Sequence, residues 1–159
     1  MASPTITTTD VTAVGPTVSD VVHIGDGGQK RVFRAELNGV QYAIKFMRPT
    51  VQQWSAPDAA VDVSVVDDVT ARAAREVETM RRCTSPHLVK QGPIGLTQVD
   101  LRGERILYFT EEYIDGVTLA EHLRNHGTLD VPALKRLGIQ VALAIQRLSS
   151  NVFSACQAA

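Results

Sequence analysis

Three groups of residues could do chemistry together. Gly25, Gly27 and Gly28 fall within four positions at a strand turn. Lys45 stands inside the apolar run Tyr42-Ala43-Ile44-Lys45-Phe46, and Glu76 lies further on in a helical pattern. Glycines at this spacing let a phosphate-bearing ligand approach the backbone with no side chain in the way. The same Gly25-Asp26-Gly27-Gly28 stretch serves equally well as a plain hairpin turn. A lysine centred in an apolar strand puts a charge on one face of a surface otherwise suited to burial, and such a charge needs a partner. The bland alternative is a lysine whose stem lies along the strand while its head reaches water, with Glu76 a solvated helix residue. His122 and His126, four apart, could share a helix face as metal ligands, but no third ligand stands at a suitable spacing and a solvated face accounts for them better. No G-x-x-x-x-G-K-[ST], Cys-x-x-Cys or Ser/His/Asp signature occurs.

The elements that must position these residues follow from periodicity. β-branched and aromatic runs at Val21–Ile24, Val32–Leu37 and Val40–Met47 predict three strands. Asn38-Gly39 between the last two marks a tight two-residue turn, so these strands are antiparallel. Residues 48–66, with Pro49, Trp54 and Pro57, read as an insertion. Asp67 or Asp68 can cap a helix carrying Val69, Ala73, Val77 and Met80 at helical spacing and ending near Cys83. His87–Leu96 and Glu104–Tyr113 predict two more strands around the Arg102-Gly103 turn. Thr118-Leu-Ala-Glu121 is a capping box, with Gly127 placed to end its helix. A longer helix runs from Pro132 to about Ser150. Residues 1–18, rich in Thr, Ser, Pro and Val, read as a flexible arm, and 151–159 as an unstructured tail.

At 159 residues and 44% hydrophobic, the chain can bury one ordinary core. A net charge of -1 with scattered basic residues offers no footprint for nucleic acid or an anionic membrane, so neither is expected as a partner. Cys83 and Cys156 are too few for a disulfide scaffold and suit reduced thiols. The N-terminus has neither a basic n-region nor an apolar h-region, and no segment approaches the ~20 apolar residues of a membrane span. A cytoplasmic location is the expectation.

Five strands with one helix after the third, a glycine-rich turn between the first two, Ala43-x-Lys45 in the third, and Glu112-Tyr113-Ile114-Asp115-Gly116 linking sheet to helices resemble the N-lobe and hinge of a eukaryotic-type Ser/Thr protein kinase. The match covers about residues 20–150. It implies an α+β fold: a protein-kinase-like N-lobe, meaning a five-stranded antiparallel sheet with one helix, over residues 19–113 with 48–66 inserted. The hinge and first two helices of an incomplete C-lobe would follow over 114–150. It also implies ATP as the ligand. Gly25, Gly27 and Gly28 would lie over the phosphates, Val32 would cover the adenine and Ala43 would line its roof. Lys45 would meet the phosphates and pair with Glu76, with Glu78 as the fallback. The Glu112 carbonyl and Ile114 amide would pair with the adenine edge. Two positions depart from the family pattern. Lys30 occupies the place of the third glycine, and Glu111 precedes the hinge where an apolar residue or Thr is usual. A carboxylate there is costly unless paired, so either Lys45 meets it or the register is off by one.

In the family, the His-Arg-Asp loop that supplies the catalytic base and the Asp-Phe-Gly that holds magnesium follow the long helix. Here nine residues follow it. Phosphoryl transfer relies on positioning together with electrostatic stabilisation by metal and base, so the expectation is a truncated kinase or pseudokinase fragment that binds nucleotide and is inactive alone. Magnesium is expected only with a complete C-lobe. A second reading is a kinase-derived interaction module. Its last helix would present Leu134, Leu137, Val141, Ile145 and Leu148 for self-association or a separate protein partner. A gene fragment is the third.

Overall fold

Period-two alternation builds one antiparallel sheet, described by a computed structural model over residues 5–15, 17–27, 30–47, 63–82 and 84–156. Its strands are β1 (Val18–Asp26), β2 (Lys30–Leu37), β3 (Val40–Met47), β4 (Thr97–Leu101) and β5 (Glu104–Glu112), in the order β1-β2-β3-β5-β4. The helices are α1 (Thr8–Thr12), α2 (Val63–Arg82), α3 (Leu119–His126) and α4 (Val131–Cys156). Asn38-Gly39 and Arg102-Gly103 close the β2–β3 and β4–β5 hairpins, and all four residues have φ between 53° and 83°. That is the left-handed backbone a two-residue hairpin demands.

The chain divides into two units, Met1–Glu78 with Gln91–Tyr113, and Thr79–Lys90 with Ile114–Ala159. In the first, strand β3 is central and buries residues of both faces: Ala43 and Met47 on one, Ile44 and Phe46 on the other. Ile44 and Phe46 share their face with Phe33, Ala35, Leu37, Leu101, Ile106 and Tyr108, which form the core. An aromatic line crosses it. His23 meets Phe33 edge-on at 5.3 Å, Phe33 meets Phe46 at 5.9 Å, and Phe46 stacks on Tyr108 at 5.4 Å between centroids. Burial pushes the Tyr108 phenol upward from its ordinary pKa.

Residues 5–15 cover this face, which corrects the flexible arm expected there; residues 1–4 of that arm lie outside the described residues. Thr7 caps α1 by a reciprocal box. Its hydroxyl accepts from the Asp10 amide, while the Asp10 carboxylate accepts from the Thr7 amide at 2.7 Å. Ile6 and Val11 join the core at 5% and 0% exposure, with Val14 and Val18 packed against it. An apolar face as wide as this sheet has to be removed from water, and two buried aliphatic side chains contribute about 1.5–3 kcal/mol each. Arg102 of the distant hairpin turn pairs with Asp10.

Strand β4 is a second correction. The strand expected over His87–Leu96 stands at Thr97–Leu101, because Gly92, Pro93 and Gly95 interrupt the alternation that a ladder needs. Residues 91–96 form a loop joined to the sheet by an isolated bridge between Gln91 and Glu111. Buried Thr110 fastens it. The hydroxyl donates to the Ile94 carbonyl at 3.0 Å and accepts from its amide at 2.8 Å, and the Thr110 carbonyl accepts from Gly92. A Cβ on residue 92 would fall 2.6 Å from the Thr110 hydroxyl, so only glycine passes there.

Helix α2 starts at Val63 rather than at Asp67 or Asp68, and residues 48–62 of the expected insertion lie outside the described residues. In the second unit Thr118 caps α3 and Gly127 ends it, its amide donating to Leu123 at 3.0 Å. Asp130 caps α4 through the Ala133 amide at 2.7 Å. Helix α4 continues to Cys156, so residues 151–156 of the expected tail are helical. No helix among the described residues is long and apolar enough to cross a membrane.

The N-terminal helix has a pH signature. Desolvation pushes the Asp10 carboxyl up, but hydrogen bonds from the Thr7 amide and hydroxyl, together with Arg102, outweigh it and hold the pKa below its ordinary value. Asp10 thus stabilises the fold above its unfolded pKa, and that contribution is lost as pH falls through the lower folded one. Thermal melts of Asp10→Asn should show a lower Tm at neutral pH and a smaller loss on acidification than wild type. Parallel curves from neutral to acid would contradict this role.

Candidate functional site

Register on the sheet face opposite the core brings together most of the residues singled out in the sequence. Val32 pairs with Lys45, Lys45 with Phe109, Ala43 with Glu111, and Lys30 with Met47. Directly opposed residues share a face, and so do residues two apart along a strand. Lys30, Val32, Ala43, Lys45, Met47, Phe109 and Glu111 therefore lie together. Ala43, Met47 and Phe109 are buried, Val32 is half-buried, and the two lysines stand among them.

Lys45 and Glu76 do not meet. The Lys45 ammonium contacts Glu111 Oε1 at 2.5 Å, with side-chain exposures of 21% and 11%. The reason lies in the pleat. Lys45 is opposite Phe109, so Glu111, two residues along β5, is its diagonal neighbour at about 7–8 Å between backbones, within reach of two long side chains. The residue opposite Glu111 is Ala43, too small to fill the space the carboxylate crosses. Of the two alternatives that the sequence left open for Glu111, the pairing with Lys45 is the one found.

Glu76 pairs instead with Lys30, the residue that stands where the kinase pattern has its third glycine. The Lys30 ammonium lies against both Glu76 oxygens and stands 5.2 Å from the centroid of Phe109. On α2, Ala73 and Val77 are buried, and Glu76 flanks that stripe at the margin where a half-exposed carboxylate can meet the sheet. A signal for this pair was present: Lys30 lies two residues before Val32 and must share its face.

Two glycines of the turn are uncrowded. Gly25 sits in β1 opposite Val32, and a Cβ there would meet no atom of the described residues within 4 Å. At Gly27 it would meet only the Lys30 carbonyl at 3.9 Å, and neither residue has a left-handed φ. The chain's own packing thus does not require glycine at either position. The Gly27 amide is already taken up, donating to the Lys30 carbonyl at 2.8 Å. Gly28 lies outside the described residues. Glu112 ends β5 opposite Tyr42, and Ile114 opens the second unit with 62% exposure. In that unit the His122 and His126 rings lie 4.8 Å apart on α3, and no group of three candidate metal ligands occurs among the described residues.

The Lys45–Glu111 pair can be tested as a unit. Removing one partner of a buried ion pair costs about 3–5 kcal/mol when burial is complete, and about 2–4 is expected here because a fifth of Lys45 is exposed. In urea denaturation, Lys45→Met and Glu111→Met should each destabilise by that amount. The double variant should recover a coupling of about 1–3 kcal/mol. Strictly additive losses would mean that the pair carries no interaction energy.

No protein-family model matches the sequence, and no curated protein does. Solved structures do match. The crystal structure of Rad53 residues 1–466 in complex with AMP-PNP superposes with a TM-score of 0.58 at 17% identity, over 84% of this chain and 30% of that one. The kinase domain of PknI from Mycobacterium tuberculosis gives 0.55 at 20% identity, over 85% and 51%. The chain thus spans about a third to a half of the structures it resembles. What it shares with them is the fold: an α+β architecture whose five-stranded antiparallel sheet is that of a protein-kinase N-lobe.

Proposed function

We propose that this chain is the ATP-binding part of a Ser/Thr-kinase-like domain and does not transfer phosphate to protein by itself. The observation that carries the reading is the single sheet face on which Val32, Ala43 and Phe109 form an apolar floor beside Lys30 and Lys45, next to Gly25 and Gly27, where an added Cβ would meet no atom of the described residues closer than 3.9 Å. An apolar floor suits a purine, and a cation held beside a glycine turn suits phosphates. The AMP-PNP bound in the Rad53 structure supports the same ligand class. On this reading Gly25, Gly27 and Gly28 cover the phosphates, and the Glu112 carbonyl meets the adenine edge. Magnesium enters only with the groups of a complete C-lobe. These 159 residues hold no His-Arg-Asp or Asp-Phe-Gly run to supply a base or a metal ligand. Calorimetric titration of this chain should show saturable ATP binding, and assays with magnesium and generic protein substrates no transfer approaching the about 1–100 s⁻¹ of kinases. Magnesium-dependent phosphorylation at such rates would overturn the inactive reading, and failure to bind ATP the nucleotide reading.

A second reading rests on α4. Leu134, Val141 and Ile145 are 58%, 49% and 57% exposed, with Leu137 and Leu148 half-buried, and Ile139 is exposed as well. Aliphatic residues in such number along one helix support self-association or docking of a protein partner. The same reading places the chain in the cytoplasm, on its two unscaffolded cysteines. Sedimentation should find species larger than a monomer, and Leu137→Asp with Ile145→Asp should return the chain to monomer. A wild-type chain that is monomeric at all concentrations would remove self-association.

A further inference from the structure

The two lysines on the site face are wired differently from the pairing that the kinase resemblance implies, and the wiring assigns them different tasks. We propose that Lys30, held by Glu76, is the cation that contacts the phosphates of the bound nucleotide, and that Lys45, held by Glu111, is a structural charge. The assignment rests on the nucleotide reading above and says which residue of that site reads the phosphates.

Position along the sheet is the first argument. Charged residues occupy successive rows of one face. Glu111 stands in the row of Ala43, Lys45 in the next with Val32 and Phe109, and Lys30 in the third with Met47. Lys45 leans toward the Glu111 row, which leads to the end of β5 at Glu112. Lys30 lies on the other side, directly after the glycine turn. Its backbone closes that turn with Gly27 through two hydrogen bonds, from Gly27 amide to Lys30 carbonyl at 2.8 Å and back at 3.4 Å. The ammonium of Lys30 is thus tethered beside Gly27, where an added Cβ would meet only the Lys30 carbonyl, at 3.9 Å, among the described residues.

Charge environment is the second. A phosphate brought to Lys45 would also meet the Glu111 carboxylate on the same strand face, 2.5 Å from the ammonium and only 11% exposed. Its negative charge there cannot be screened by water, so it cancels most of what Lys45 offers. Glu76 is on a helix and 39% exposed, so the Lys30 ammonium can be shared between a carboxylate on one side and a ligand on the other. An ammonium has three donors. Glu76 takes two of them, and one is left to point at an oxygen. The Phe109 ring fixes the height of the Lys30 head, as a positioned cation requires.

The experiment compares ATP with adenosine, which lacks the phosphates, by calorimetry on the 159-residue chain and on Lys30→Met, Lys30→Arg and Lys45→Met. Losing a charged hydrogen bond to phosphate lowers affinity about 10–100-fold. Lys30→Met should therefore lose the preference for ATP over adenosine by that factor, Lys30→Arg should recover most of it, and Lys45→Met should keep it. The ratio is taken within one variant, so a general loosening of the fold moves both ligands together and leaves it unchanged. A preference that survives Lys30→Met, or one that collapses in Lys45→Met, overturns the assignment while ATP binding itself stands. A wild-type chain that binds neither ligand overturns the nucleotide reading and the assignment with it.

Discussion

A sheet face that carries lysines at positions 30 and 45 can be closed only if each charge is answered, and the answers determine much of the first unit. Lys45 sits in the central strand with buried neighbours on both sides, so its partner has to come from the adjacent strand, and Glu111 is the acidic residue in diagonal reach. With Glu111 committed there, the helix glutamate is released to the strand before. Helix α2 then meets the sheet through Lys30 rather than through its middle. Two neutral pairs side by side replace one pair and one free cation. The face stays electrically balanced with a carboxylate in a position where apolar residues are usual.

Local features of the sequence carried the hairpins. Asn38-Gly39 and Arg102-Gly103 are legible because a two-residue turn needs left-handed backbone, and few residue types supply it. The caps at Thr118 and Asp130 are legible for a similar reason, each being a contact within three residues. Order along the chain, with one helix after the third strand and Ala-x-Lys within it, was enough for the fold, although identity to the solved structures is only 17–20%. Partner choice was legible only as an open alternative at Glu111. Which carboxylate answers Lys45 depends on the β3–β5 register, a pairing of strands about sixty residues apart that no turn between them specifies. Helix α1 is not legible by period because Ile6, Val11 and Val14, within and beside it, follow no single spacing; they match the core face of the sheet, which the sequence does not display. A local hint did exist in Thr7-x-x-Asp10, an acidic capping box one methylene shorter than the usual one.

Both faces of the sheet are consequently in use, one by core and N-terminal helix, the other by ion pairs and the apolar floor. Antiparallel sheets commonly leave one face to water. Here β3 has no such face, and its burial of Ala43, Ile44, Phe46 and Met47 gives the strand bearing Lys45 little freedom to shift. That rigidity suits a surface whose task is to hold charges at fixed spacing.

The docking of α1 has a further consequence for how the chain comes to be folded. Asp10 and Arg102 are ninety-two residues apart, and Val11 belongs to the same core cluster as Ile106 and Tyr108 of β5. During synthesis α1 emerges before the sheet, yet the surface that buries it is incomplete until the β4–β5 hairpin has left the ribosome. Contacts of such long sequence separation form late, after loop closure has been met by other pairings. The segment that precedes the sheet is therefore the last to be sheltered by it, and for that interval the growing sheet shows its aromatic face to the solvent and to chaperones.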